Sequence, residues 1–286
     1  MSRTLDKQAL TEHFAEEYRL AQSPIMMEVE RVVLGCGYGG TSWTTRAEAE
    51  RVGRLLELRP GRRLLEVGAG SGWPGLFLAR TTGCDVTLLD VPLEAIRMAA
   101  EKAVSEQLDG MCWVVVADAG ALPFSNNSFD AISHSDVLCC LEAKLSVLKA
   151  CRQVVRAGGR MVFTVISIAP GLSSTDYKRA ADSGPPFVES AVDYPTLLRQ
   201  ARWKITDRVD LTVEYARTVR CLLREWEARK DGLSELFGAA EFTELVTGKR
   251  ATLQAIEERF LQRELFVADA VTADEPENVD TNRKCV

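Results

Sequence analysis

Leu64-Leu65-Glu66-Val67-Gly68-Ala69-Gly70-Ser71-Gly72 runs an apolar strand straight into a glycine-rich turn. Residues 74–80 continue it as a helix, so the stretch reads as strand, turn, helix. Glycine suits such a turn because it has no Cβ: it tolerates positive φ and lets a ligand approach the backbone.

Outward from this unit, short β-branched runs alternate with helical patterns. Strands are expected at 63–67, 86–90, 113–117, 131–134 and 160–168, and helices at 74–80, 93–106 and 143–155. In the second helix, Leu93, Ile96, Ala100, Ala103 and Val104 recur at helical spacing and form one apolar face. The alternation implies βαβ units around a parallel sheet. The first sixty residues look helical, interrupted by a loop at Gly35, Gly37, Gly39 and Gly40, and Thr45-Arg46-Ala47-Glu48 is a capping box that restarts a helix. After the fifth strand, 169–186 is rich in Gly, Ser and Pro and reads as an irregular excursion. A helix at 195–201, a strand at 204–209, long polar helices between 214 and 258 and a strand at 261–267 follow. The acidic stretch 272–286 reads as a frayed tail. The domain plan is a helical lid over 1–60 and a sheet domain over 61–271 that carries a cap insertion at about 170–258.

Composition narrows the partners. With 286 residues, 46% hydrophobic and 27% charged, the chain can bury a core, which excludes disorder as its main state. A net charge of -6 weighs against a nucleic-acid surface, which needs a basic face. No run approaches the roughly 20 apolar residues that cross a bilayer, and the first twenty residues lack an apolar signal core, so a cytoplasmic protein without membrane insertion is expected. The eight cysteines contain no CxxC pair, and His13 and His134 are the only histidines, so no metal site is expected.

Two cofactor classes share the strand-turn-helix unit. The dinucleotide fingerprint G-x-G-x-x-G would place its third glycine at 73, where Trp73 stands; here that glycine is Gly72. The resulting E-x-G-x-G-x-G, from Glu66 to Gly72, resembles the first motif of class I S-adenosylmethionine-dependent methyltransferases. The segment around Asp118, V-V-V-A-D-A-G-A-L-P-F-S-N-N-S-F-D, resembles the small-molecule branch of that family, which includes ubiquinone, sarcosine and phosphobase methyltransferases. The similarity extends to Phe129-Asp130 with Leu138 and to Arg156-Ala157-Gly158-Gly159, so it covers residues 56–168. It departs at Cys140, where many relatives carry a histidine.

The resemblance implies an α/β, Rossmann-like class I methyltransferase fold: a seven-stranded, mostly parallel sheet with a helical N-terminal lid and an insertion covering the active site. It implies S-adenosyl-L-methionine as cofactor, S-adenosyl-L-homocysteine as product and a small-molecule acceptor with a hydroxyl or amine. On the family's pattern, Glu66, Gly68, Ala69, Gly70 and Gly72 meet the methionyl part, Asp90 and Val91 the ribose, and Asp118 and Ala119 the adenine. Ser133 and the backbone of His134 follow strand four beside the methionyl end. Ser42 and Trp43, in the segment 38–43, resemble a closing lid. Asp90 also suits a helix N-cap before Pro92. Methyl transfer needs a base only for a protonated acceptor, and His134 and Tyr38 are the side-chain candidates for that role. Arg217, Arg220 and Arg224 share one helix face, either as an anion grip or as a solvated surface. An NAD(P)-dependent oxidoreductase and a non-catalytic S-adenosylmethionine-binding partner protein remain as alternatives.

Overall fold

The computed structural model describes residues 7–108 and 110–271, so the tail at 272–286 lies outside the described residues. Three helices come first: α1 (Lys7–Ala21), α2 (Pro24–Leu34) and α3 (Arg46–Leu55). The alternating body follows as β1 (Arg63–Val67), α4 (Gly75–Thr82), β2 (Asp85–Asp90), α5 (Leu93–Ser105), β3 (Cys112–Val116), β4 (Phe129–Ser135), α6 (Lys144–Val154) and β5 (Val155–Ile168). The last third holds α7 (Ser174–Ser183), α8 (Tyr194–Gln200), β6 (Trp203–Asp210), α9 (Thr212–Ala228), α10 (Lys230–Phe237), α11 (Ala239–Glu257) and β7 (Leu261–Ala270).

All seven strands form one sheet in the order β3-β2-β1-β4-β5-β7-β6. The first five are parallel, and β7 runs antiparallel to both β5 and β6. The central strands are apolar on both faces because both are covered. Side-chain alternation sends Leu65, Ile132 and Phe163 into one core with Val147, Leu148 and Leu198 of α6 and α8. It sends Leu64, Ala131 and Val162 into a second core with Val52, Leu76 and Ala99 of α3, α4 and α5. The strand order reverses between β1 and β4, and open α/β sheets bind ligands at the carboxyl ends of the strands flanking such a switch.

Two expectations change in detail. The excursion at 169–186 contains α7, started by Ser173, whose Oγ accepts from the amide of Asp176 at 3.1 Å. Its Ser-Ser-Thr-Asp start is an N-cap signal that the surrounding Gly and Pro residues obscured. Within the stretch 170–258, β6 is the sheet's edge strand, so this stretch contributes to the sheet as well as supplying the helices α7–α11. The capping box is present: Thr45 Oγ1 accepts from the Glu48 amide and Glu48 Oε2 from the Thr45 amide.

Candidate functional site

The chain leaves β1 through three glycines with positive φ, Gly68 at 68°, Gly70 at 53° and Gly72 at 101°. Space is as restrictive as the dihedrals. A Cβ on Gly68 would collide with the Val137 side chain; one on Gly70 would lie 2.7 Å from Tyr18 Oη, and one on Gly72 2.5 Å from Leu76 Cδ1. The turn is tied to the end of β2, because the amides of Gly68 and Ala69 donate to Leu89 O at 2.8 and 3.0 Å. The Gly70 amide donates to Asp90 Oδ2 at 2.8 Å.

Asp90 takes a second backbone donor, the Val91 amide, on Oδ1 at 2.7 Å. Burial raises its pKa while these two amides pull it down. Each oxygen keeps acceptor capacity, since an ionised carboxylate offers about four lone-pair sites. Val91 and Leu93 next to it are exposed apolar side chains. At the end of β3 Asp118 is exposed and folds an Asx turn, with Oδ1 accepting from the Gly120 amide at 2.8 Å, while Ala119 is buried.

Glu66 is fully enclosed and in register with Ser133 of β4, whose hydroxyl donates to Oε2. Burial lifts its pKa to about 7. Its Oε1 has no partner, and neither has Ser71 Oγ within the turn. Buried polar atoms are normally satisfied, so these two oxygens, one at the end of β1 and one in the turn, are acceptors that the described residues leave open.

The segment 38–43 is clamped over this turn by a residue that sequence reasoning missed. Glu30, buried on α2, accepts from the Gly39 amide at 2.6 Å, from the Gly40 amide at 3.4 Å and from Cys36 Sγ at 3.4 Å. Its signal was available: a carboxylate four residues before Leu34, on the buried face of α2. Lys102 Nζ and Gln22 Nε2 hold Tyr38 O at 2.8 and 3.2 Å. Gly40 faces Ser71 Oγ. Ser42 Oγ accepts from the Thr44 amide at 3.0 Å, and Trp43 meets Tyr215 of α9 edge-on with centroids 5.2 Å apart.

Both candidate bases are turned elsewhere. His134 shares a face with Ile132, opposite Ser133, and its ring stacks on Phe163 at 4.5 Å inside the α6–α8 core. It is 1% exposed, neither ring nitrogen has a partner, and burial pushes its pKa down to about 3. Such a ring cannot reach a ligand at the strand ends. Tyr38 donates its hydroxyl to Glu106 Oε2 at 3.0 Å, just beyond the C-terminus of α5, with its ring packed on Trp73. Other side chains occupy the space above the glycine turn. Tyr18 of α1 lies on Gly70, with its pKa raised by burial, and Lys249 of α11 sets its Nζ 5.1 Å from the Trp43 ring. Cys140, in the 3-10 turn Leu138–Cys140 beyond β4, lies near both. Arg217, Arg220 and Arg224 are exposed, and Arg220 pairs with Glu257, which makes that face a solvated surface.

A family model described as a methyltransferase domain matches residues 65–163, from β1 to β5. Over that stretch the chain is similar to class I methyltransferases. Phosphoethanolamine N-methyltransferase 1 of Zea mays is 25% identical over 247 residues, covering 85% of this chain and 48% of the relative. Phosphoethanolamine N-methyltransferase 2 of Haemonchus contortus, solved with phosphomonomethylethanolamine and S-adenosylhomocysteine, superposes with a TM-score of 0.73 at 17% identity, covering 91% of this chain and 60% of that one. The 4+2 cyclase SpnF superposes at 0.69 with 21% identity, covering 90% and 95%. These likenesses show the class I methyltransferase fold. The chain spans about half the length of the curated relatives it matches, with 39%, 48% and 59% of the first three covered. Among the described residues, no helix is long and apolar enough to cross a membrane.

Proposed function

We propose that this chain moves a methyl group from S-adenosylmethionine to a hydroxyl or amine of a small-molecule metabolite and releases S-adenosylhomocysteine. The observation that carries the reading is the glycine turn at the switch point, with Glu66 Oε1 and Ser71 Oγ buried and unpartnered. Asp90 and Asp118 stand at the ends of the two neighbouring strands. An amino-acid moiety supplies donors for the first pair and a nucleoside supplies hydroxyl and amino groups for the second. When bound, the cofactor contributes a sulfonium methyl that is already activated for in-line displacement. The residues of this chain bind, align and exclude water. The turn and Glu66 hold the methionyl part, Asp90 with Val91 the ribose, Asp118 with Ala119 the adenine, and Ser42 and Trp43 close the lid. The dinucleotide alternative is not supported: position 73 is a buried tryptophan that donates Nε1 to Thr44 O at 2.8 Å.

On this reading the acceptor lies beside Trp43, among Tyr18, Cys140 and Lys249. Burial keeps the Tyr18 hydroxyl protonated and lowers the pKa of Lys249, which has no carboxylate within ion-pair distance among the described residues. A neutral amine would attack with its own lone pair and release its proton to water after the transfer, whereas a hydroxyl must give up its proton as the new bond to carbon forms; an electron-rich or anionic group on the acceptor would answer Lys249. Lys249→Met should raise the acceptor KM ~10-fold, the scale of one charge-assisted hydrogen bond, and leave S-adenosylhomocysteine affinity unchanged. An unchanged KM would remove Lys249 from the acceptor site. A net charge of -6 supports a metabolite over a nucleic acid, and the seven free cysteines among the described residues support a reducing, cytoplasmic setting.

Calorimetry with S-adenosylhomocysteine and NADH, followed by a tritiated-methyl assay over a metabolite panel, tests the reading. Binding of NADH alone would return the case to an oxidoreductase. Tight S-adenosylhomocysteine binding without any acceptor would favour a cofactor-binding partner protein or another reaction, the latter favoured by the full-length likeness to a cyclase. Asp90→Ala should weaken S-adenosylhomocysteine ~30-fold, because the ribose loses a charged acceptor and the Gly70 amide its anchor. Affinity within a factor of two of wild type would exclude Asp90 from the ribose site.

A further inference from the structure

Arg263 of β7 is 1% exposed, on a strand whose apolar residues, among them Leu265 and Phe266, lie in the core. A buried guanidinium persists only where its donors are matched, and here all three nitrogens are used. Nε lies 3.1 and 3.0 Å from the two carboxylate oxygens of Asp136. Nη1 donates to Glu48 Oε1 at 2.8 Å, and Nη2 reaches Thr44 Oγ1 at 3.4 Å and Thr164 Oγ1 at 3.3 Å.

These partners lead to two different walls of the site. Thr44 follows Trp43 directly, its carbonyl takes the Trp73 indole N–H, and Glu48 also accepts from the Thr45 amide with its other oxygen. This arm holds the lid's outgoing end. Asp136 stands just beyond β4 with φ 57°, a left-handed conformation that a non-glycine residue keeps only when its surroundings enforce it. Its amide donates to Thr164 O at 2.9 Å, and its carbonyl accepts from Cys139 Sγ at 3.0 Å and Cys140 Sγ at 3.6 Å. The next residue, Val137, is the one pressed on Gly68. This arm holds the turn between the glycine loop and the acceptor space.

We propose that Arg263 is a positioning residue that holds the lid and the post-β4 turn in one hydrogen-bonded unit, so that the two walls of the transfer site order together. The inference rests on the proposed function for its meaning, whereas its physical content is the coupling of two segments. Lysine keeps the charge but has no planar fork with which to meet Asp136, Glu48 and Thr44 at once. Amide hydrogen exchange on the apo chain reads the coupling directly. In Arg263→Lys, amides in 38–45 and in 136–141 should both exchange ~10-fold faster or more, while those of β1 and β2 keep their wild-type protection. S-adenosylhomocysteine Kd should rise ~10-fold in parallel. Glu48→Gln, which retains a cap acceptor and removes only one arm's charge, should accelerate 38–45 and leave 136–141 closer to wild type. It decides the matter if Arg263→Lys does not fold. Faster exchange in only one segment, or an equal rise across the sheet, would reduce Arg263 to a stability residue and overturn the proposal; so would an unchanged lid in Glu48→Gln. If wild type binds no S-adenosylhomocysteine, the proposed function fails, yet the apo exchange data still decide the coupling.

Discussion

Gly68→Ala is expected to raise the S-adenosylhomocysteine Kd at least ~100-fold, to the edge of what calorimetry measures, and to cost about 2–4 kcal/mol of stability. Two independent effects add. Alanine at a φ of 68° carries the penalty of the left-handed region, roughly 1–2 kcal/mol. Its methyl group would also be driven into Val137, which cannot retreat because Asp136 before it is fixed by Arg263 and Thr164. The turn must move instead, and with it the amides of Gly68 and Ala69 that bond Leu89 O. Gly61→Ala is the control: Gly61 also has positive φ, at 81°, but no atom lies within 4 Å of its added Cβ. It should show the backbone cost alone, with affinity unchanged. Urea unfolding and calorimetry on both variants check this. If Gly68→Ala bound S-adenosylhomocysteine within a few-fold of wild type, the backbone of this turn would not form the cofactor site.

The sheet was legible because its signals are local. A parallel strand buried on both faces writes itself as a short apolar run, and each helix between strands carries its own period, so the expected elements of the alternating body fall within a few residues of β1–β5 and α4–α6. The same two-sided burial hid the direction of side chains. In Phe129-Asp130-Ala131-Ile132-Ser133-His134, polar and apolar residues do not alternate cleanly, so nothing in the sequence tells that Ser133 meets Glu66 while His134 enters the opposite core. Tyr38 misled for a related reason: a tyrosine beside glycines suits a lid, but the carboxylate that claims its hydroxyl, Glu106, is 68 residues away. Tyr18, Glu30 and Lys249 come from helices at the two ends of the chain, and only tertiary folding brings them to the turn. Glu30 and Arg263 left one trace, a charge placed among buried positions, which marks a residue with a partner without saying where it is.

Between pH 7 and 5 the apo chain should show little change in stability from two large titrations, because they oppose each other. His134 is held neutral by burial, with its pKa moved from 6.5 down to about 3, so the unfolded chain takes up a proton that the folded chain refuses. This contribution is fully present above pH 6.5 and is lost as pH falls, by about 2 kcal/mol at pH 5 and about 3 kcal/mol at pH 4. Glu66 runs the other way. Its pKa is raised from 4.5 to about 7, so the folded chain holds a proton that the unfolded chain has released, and its contribution is present below pH 4.5 and lost as pH rises through 7. Going from pH 7 to 5 it returns about 2 kcal/mol. Each variant should therefore expose the other's slope. His134→Phe, which keeps the stack on Phe163 and removes two unpartnered nitrogens, should gain about 2 kcal/mol on acidification relative to wild type. Glu66→Gln should lose about as much over the same interval. Urea unfolding at pH 7, 6 and 5 on the three proteins is the measurement, with ligand left out. Parallel curves for wild type and His134→Phe would mean that the imidazole is solvated in the folded chain, and would reopen the question of whether it faces the site.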